Sequence, residues 1–309
     1  MSQSMPILRL GTRGSKLARV QADMVAHALR ERGAACEIVL VKTTGDRILD
    51  RPLADAGGKG LFTKELEEAL LSSTIDLAVH SMKDVPTALP DGLTVAAILP
   101  REDPSDAVIA KSVRALSELP PGARVGTSSV RRQAQLLRLR PDLHCVLLRG
   151  NVDTRLAKLD AGDMDAIILA LAGLKRLGLA ARVTSVLPHE EWLPSLAQGA
   201  VGIEIRKSDA RTASPVTALD DASASIALAC ERAFQAALDG SCRTPIAGLA
   251  RLDGKQLSFR GEVIAPDGSD FAATEFQIAL GTDPKEEAAA AGREAGVALR
   301  PRAARWLAT

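Results

Sequence analysis

The sequence predicts an α/β protein of two doubly wound lobes, followed by a C-terminal α+β domain with a small antiparallel sheet. Three observations carry this reading. Strand and helix patterns alternate from residue 7 to 99 and again from 107 to about 188, the signature of mostly parallel sheets covered by helices. Two breaks, Pro100-Arg101-Glu102-Asp103-Pro104 and the flexible-looking Gln198-Gly199-Ala200-Val201-Gly202, separate the sets, so the chain is expected to cross between lobes twice. The last third changes rhythm, with strands in succession and then a helix. The expected domains are 1–99 with 200–219, then 100–199, then 220–309.

Each element has its own warrant. Residues 7–10 form a strand, after which Leu17, Val20, Met24, Val25 and Ala28 recur at helical spacing. Residues 37–41 are a strand, Leu66 and Leu70 mark a helix, and 75–79 and 93–99 are strands. A strand at 124–126 leads to a helix over 130–139, capped by Ser128-Ser129. Strands at 145–148 and 165–170 lead to helices bearing Arg155 and Lys175-Arg176, and 203–205 is a strand after the second break. Residues 222–238 form a long helix closed by Gly240. Strands follow at 246–252, 257–265 and 271–280, the last two joined by Pro266-Asp267-Gly268, because Asp-Gly favours a hairpin turn. The final helix opens at Asp283-Pro284, and Pro301 interrupts or ends it.

Chemistry gathers at the strand ends. The strand at 75–79 runs into His80-Ser81-Met82-Lys83-Asp84-Val85-Pro86, which delivers an ammonium and a carboxylate to the place where α/β folds bind ligands. For an isolated Lys-Asp pair, a solvated turn is the plain alternative. Other junctions weigh against it. Arg13, Arg131 with Arg132, Arg149 with Arg155, and Arg176 all lie where a strand gives way to a helix, and Gly57-Gly58-Lys59-Gly60 opens another helix. A helix N-terminus offers free N–H groups and a positive dipole end, and arginine binds both oxygens of a carboxylate at once. Several such junctions imply a ligand with several acidic groups, held in a cleft that closes by hinge motion.

Composition narrows the class. Lys and Arg number 39 against 38 Asp and Glu, so the chain lacks the broad basic surface of a non-specific nucleic-acid binder. With 2% aromatics and no Tyr, base-stacking platforms are also excluded. No run approaches the roughly 20 apolar residues of a membrane span, and no signal segment precedes the first strand. A cytoplasmic location is expected. Four scattered cysteines without CxxC spacing, and four histidines without ligand spacing, give no support to a metal or a disulfide framework. Cys145 and Cys230 read as core residues, and Cys36 has no supporting feature. Cys242 lies in a loop next to Arg243, a setting that favours thiolate, and is a candidate for covalent attachment or catalysis. No P-loop, GxGxxG or GxSxG pattern is present.

AVHSMKDVP at 78–86, GGKGLFTKELE at 57–67, GTSSVRRQAQL at 126–136, LRGNVDTRLAKL at 148–159, DAIILALAGLKRLGL at 165–179, QGAVGIE at 198–204 and GSCRTPI at 240–246 follow one another in order. Together they resemble the porphobilinogen deaminase family over nearly the whole chain. The resemblance implies two lobes like those of periplasmic-binding-protein-like folds plus a third domain. It implies a dipyrromethane cofactor held through a thioether on Cys242, onto which porphobilinogen units condense with loss of ammonia, giving hydroxymethylbilane. By resemblance Asp84 is catalytic and also meets the cofactor, and Lys83, Thr127, Ser129, Arg131 and Arg132 bind that cofactor. Arg13, Ser15, Gln21, Arg149, Arg155 and Arg176 serve the substrate or growing chain, and Lys59 and Phe62 gate the site. The resemblance also implies a monomer that hands its product to uroporphyrinogen III synthase.

The residues agree with this chemistry. A growing pyrrole chain is a polycarboxylate, which suits the arginines. Loss of ammonia leaves an electrophilic, positively charged azafulvene-like species that a carboxylate near the pyrrole N–H stabilises. Ser241, Arg243, Thr244, Gly14 and Lys16 depart from the commonest family pattern and flank the matching residues. Two other readings stay open on residues alone. A non-catalytic dicarboxylate receptor explains the arginines but leaves Cys242, Asp84 and the third domain unexplained. A phosphate-transfer enzyme lacks a P-loop and a carboxylate cluster for a metal.

Overall fold

The computed structural model describes residues 7–47, 60–238 and 244–307. Their order is β1 (Leu8–Arg13), α1 (Lys16–Glu31), β2 (Cys36–Val41), α2 (Thr44–Arg47), α3 (Lys64–Leu71), β3 (Leu77–Ser81) and β4 (Leu93–Ile98). Next come β5 (Asp106–Ala110), β6 (Arg124–Thr127), α4 (Val130–Leu139), β7 (His144–Leu147), α5 (Val152–Asp160), β8 (Ala166–Ala170), α6 (Leu171–Arg176) and β9 (Ser185–Val186). The chain ends with β10 (Val201–Arg206), α7 (Ala210–Thr217), α8 (Ala222–Ala237), β11 (Ile246–Asp253), β12 (Gln256–Ile264), β13 (Phe271–Ala279) and α9 (Pro284–Ala303). Among the described residues, 7–47, 60–102 and 200–225 form one compact unit, and 103–199, 226–238 and 244–307 form another.

The first unit is built on a five-stranded sheet in the order β2-β1-β3-β10-β4. α1 packs Ala22, Val25, Ala26 and Leu29 against Leu8, Leu10, Leu77 and Val79, and Ala18 is buried on the same helix. This face is rotated from the expected one: Met24 is exposed, and Leu17 and Val20 are only half-buried. Alanines let the helix lie close to the sheet, and the larger side chains flank the contact. On the opposite face α3 packs Leu66 and Leu70 on Ile75, Ala78 and Leu93. Helices on both faces make the unit doubly wound.

The second unit repeats the plan with the order β7-β6-β8-β5-β9. β1 in one sheet and β6 in the other each pair in parallel with their two neighbours, and the pairings of β10 and of β5 are antiparallel. Half of the pairings are thus reversed, where the alternation predicts a mostly parallel sheet. The reversed strand is in each case the one that follows a crossing of the chain, β5 after the first break and β10 after the second. The repeat extends to side chains. Asp76 accepts the N–H of Arg9 at 2.8 Å, and Asp165 accepts that of Arg124 at 2.7 Å, each tying the start of a central strand to its neighbour.

A three-stranded antiparallel sheet, β11-β12-β13, belongs to the second unit. It packs with α8 and α9 around Phe234, Phe259 and Leu257. The Asp267-Gly268 turn forms as expected, with Gly268 at φ +76° and its N–H bonded to Ala265. A Cβ there would sit 2.5 Å from the Arg138 backbone nitrogen, so glycine also permits the hairpin to seat on α4. Arg138 adds a partly buried ion pair to Glu262 at 2.8 Å. α9 continues past Pro301 to Ala303, because a proline in the last turn forfeits only one helical N–H.

Candidate functional site

A pocket in the first unit is lined by Arg13, Ser15, Gln21, Phe62, His80, Ser81, Lys83 and Asp84, among others. β1 extends to Arg13, so this arginine is fixed by strand pairing, where the sequence places it in a loop. Ser15 caps α1, its Oγ accepting from the Ala18 N–H at 3.3 Å. Gln21, buried on the first turns of α1, donates to Ser81 Oγ at 2.9 Å and bolts the helix to the end of β3. β3 runs two residues beyond the expected strand, and a single 3-10 turn, Met82–Asp84, then carries Lys83 and Asp84 to the pocket.

Asp84 faces Arg13 loosely. Their closest approach, from Nη1 to Oδ2, is 3.9 Å, with 31% of the aspartate side chain and 20% of the arginine side chain exposed. The Arg13 guanidinium lies 4.0 Å from the centre of the Phe62 ring, a cation–π contact that holds both at the pocket edge. Gly45 lets the ring in, since a Cβ at that position would be 2.3 Å from Phe62 Cε1. Lys59, the other expected gating residue, lies outside the described residues.

The second unit gathers a different set. Thr127 ends β6 and accepts from the Ser129 N–H at 3.1 Å, and Ser129 caps α4 by accepting from the Arg132 N–H at 3.4 Å. This junction turns Arg131 and Arg132 inward onto Asp106, with Nη2 to carboxylate distances of 2.8 and 2.7 Å. Trp192 Nε1 and Gln198 Nε2 each donate to the same carboxylate at 2.8 Å. The other ends of the guanidinium groups donate to the carbonyls of Leu193 at 2.9 Å and Ile168 at 3.0 Å. Burial pushes the Asp106 carboxyl up, but the charges of Arg131 and Arg132 outweigh it and hold the group far below the usual carboxylate range.

Arg149 is buried, and Arg155 on α5 donates to the Gly150 carbonyl at 2.7 Å. Gly150 sits at φ +112°, which turns the chain sharply between these two arginines. Arg176 ends α6 and donates to the Gly199 carbonyl at 2.6 Å. The structure therefore joins Arg13, Ser15, Gln21, Phe62, Lys83 and Asp84 in one pocket, and Arg131 and Arg132 in one cluster.

Cys242 lies outside the described residues. Cys230 is buried as expected, whereas Cys145 is half-buried. Burial pushes the Cys36 and Cys230 thiols up and Cys145 up to about 11, so none of these three is a ready thiolate. Asp106, Trp192 and Gln198 are the residues that sequence reasoning missed. The available signal is a charged residue opening an apolar strand, Asp106 before Ala107-Val108-Ile109, as Asp76 and Asp165 stand before theirs. Gln198 is also not in a flexible stretch: it is buried and donates to the Pro104 carbonyl at 2.7 Å.

Comparison with known proteins gives one answer. A family model described as porphobilinogen deaminase, dipyromethane cofactor binding domain, matches residues 8–214, and one described as porphobilinogen deaminase, C-terminal domain, matches 225–300. A porphobilinogen deaminase of Paracoccus denitrificans is 52% identical, over 91% of this chain and 93% of its own. One from Nitrobacter winogradskyi is 51% identical, over 95% and 93%. Among solved structures, a periplasmic substrate-binding protein of an ABC transporter from Coxiella burnetii superposes with a TM-score of 0.44 at 16% identity, over 71% of this chain and 94% of that one. Among the described residues, no helix is long and apolar enough to cross a membrane.

Proposed function

Because the chain belongs to the porphobilinogen deaminase family, we propose that it condenses porphobilinogen head to tail onto a dipyrromethane primer, loses one ammonia per unit and releases hydroxymethylbilane. The observation that carries this reading is the Asp84 pocket. It holds an accessible carboxylate beside donors suited to a substrate that is itself acidic.

The residues fit the primer. Its side chains are carboxylates, and the Asp106 cluster sets two guanidinium groups against one carboxylate, leaving one positive charge uncompensated among them. Both Arg131 and Arg132 also keep a buried Nε without a hydrogen-bond acceptor. Bound through a thioether to Cys242, the primer supplies the nucleophilic pyrrole carbon. Lys83, Thr127, Ser129, Arg131 and Arg132 hold its carboxylates. Arg13, Ser15, Gln21, Arg149, Arg155 and Arg176 bind the incoming unit and the lengthening chain, and Phe62 with Lys59 closes over it. Asp84 accepts pyrrole N–H groups and stabilises the positive charge that develops as ammonia leaves, an effect strongest where water is excluded.

On this reading the chain works as three domains, 1–99 with 200–219, 100–199 and 220–309. It acts in the cytoplasm as a monomer and passes its product to uroporphyrinogen III synthase. Intact-protein mass tests the covalent claim. The purified protein should exceed its sequence mass by two porphobilinogen units less two ammonia, and Cys242→Ser should lose that excess. An adduct mapped to Cys36, Cys145 or Cys230 would overturn it.

A further inference from the structure

One side chain of the pocket has no part in the chemistry above. His80, on β3, lines the pocket four residues before Asp84 and is almost wholly buried. Its Nε2 lies 2.9 Å from Glu204 Oε2, on the neighbouring strand β10. The contact is within ion-pair distance but too oblique to count as an aligned hydrogen bond. Glu204 is 0% exposed, and neither of its oxygens has a hydrogen-bond donor among the described residues. A buried carboxylate in that condition is costly unless a proton or a cation serves it, and His80 is the group in reach.

A third group deepens the cluster. Glu67, on α3, is 8% exposed, and its Oε1 is also buried without a donor. Burial pushes the Glu67 carboxyl above the usual range, and the Glu204 charge adds to this while His80 opposes it. Two carboxyl groups and one imidazole therefore share a buried site under the pocket. The charged groups on the pocket side are Arg13 from β1 and Lys83 and Asp84 from the turn after β3.

We propose that His80 is a second proton-transfer residue of this pocket, oriented by Glu204 and backed by the buried acid Glu67. The arrangement follows the general logic of an imidazole base held by a carboxylate. With Nε2 turned to Glu204 at 2.9 Å, Nδ1 is the nitrogen left for the pocket. The role rests on the proposed condensation and divides its labour. Asp84 stabilises charge at the pyrrole nitrogen. His80 takes the proton released when the new carbon–carbon bond is made, as the C–H electron pair returns to the ring. It then gives that proton to the amino group of the next porphobilinogen, whose nitrogen leaves as neutral ammonia, and the imidazole ends the cycle as it began.

The test uses the complete enzyme and three variants, His80→Gln, Glu204→Gln and Asp84→Asn. Cofactor content is read by intact mass, stability by thermal unfolding, and turnover of porphobilinogen as ammonia release across pH. His80→Gln should retain the cofactor mass and a KM within about twofold of the parent, but lose about 100-fold or more in kcat, the scale of general acid–base catalysis. Its pH–kcat profile should lack a limb that the parent shows. Glu204→Gln, which keeps the imidazole, should displace that same limb. If His80→Gln comes without cofactor, the Glu204→Gln profile decides. Parent-like kcat in both variants, or lowered stability with an unchanged pH profile, overturns the proposal. A parent enzyme that releases no ammonia from porphobilinogen would instead overturn the functional reading on which it rests.

Discussion

In the first unit Asp84 stands 3.9 Å from Arg13 with 31% of its side chain exposed, whereas in the second unit Asp106 is fully buried and takes hydrogen bonds from Arg131, Arg132, Trp192 and Gln198. Both are aspartates near the end of an apolar strand, and both meet arginine. Asp106 has committed its acceptors to the protein. Asp84 has not, and its partly exposed carboxylate is the one the proposed function uses for a pyrrole N–H. The difference is one of placement. Asp84 follows its strand, on a 3-10 turn that opens to the pocket, and Asp106 begins its strand, beneath α4. An open pair can do chemistry; a closed one can only hold its arginines still.

The largest expected effect falls on the closed site. Asp106→Asn leaves two buried guanidinium groups without their carboxylate, which should cost about 3–5 kcal/mol of stability in urea unfolding. Cofactor loading should fall with it, because Arg131 and Arg132 lose their fixed orientation. Parent-like stability in this variant would erase the contrast between the two sites.

The arginines of the second unit sharpen it. Arg149→Leu and Arg155→Leu should keep the cofactor mass yet stall elongation, each losing about 1.5–3 kcal/mol of binding to a charged ligand group. Arg132→Leu should leave mainly apo-protein. Mass spectra of enzyme-bound chain intermediates separate the two behaviours, and normal elongation in all three variants would contradict the polycarboxylate reading.

Asp76 gives a smaller effect and a control for charge at a strand start away from the pocket. Burial pushes its carboxyl up, but the paired bonds from Arg9 and the charge of Arg211 hold it at about 2, below the ordinary 3.8. The stabilisation is therefore fully present above pH 4 and is lost as pH falls through about 2. It amounts to about 2 kcal/mol, and Asp76→Asn should flatten that acid-side decline in stability. Turnover at neutral pH should change little in the molecules that remain folded.

Much of this comparison was legible in the sequence, and the unread part has physical causes. Lys83, Asp84, Thr127, Ser129 and the arginines stand at strand-to-helix junctions, where local pattern and turn chemistry reveal position. Burial is a tertiary property, so nothing in the string Asp106-Ala107-Val108 discloses that four donors converge on its first residue. The same cause rotated the buried face of α1, where the small Ala18, Ala22 and Ala26 displaced Met24 from the core. Reversal of β5 and β10 was hidden as well, because hydrophobic periodicity reports that a strand exists and not which way it runs.

Asp84→Asn tests the central claim most directly. The substitution keeps the shape of the side chain and removes its charge and its proton-accepting carboxylate. Single-turnover ammonia release should fall about 10²–10³-fold. Intact mass should still show the cofactor, and thermal unfolding should match the parent, the reverse of the Asp106→Asn pattern. Asp84→Glu, with its charge displaced by one methylene, should keep a small residual rate. Parent-like turnover in Asp84→Asn would make this aspartate a solvated turn residue and contradict the account.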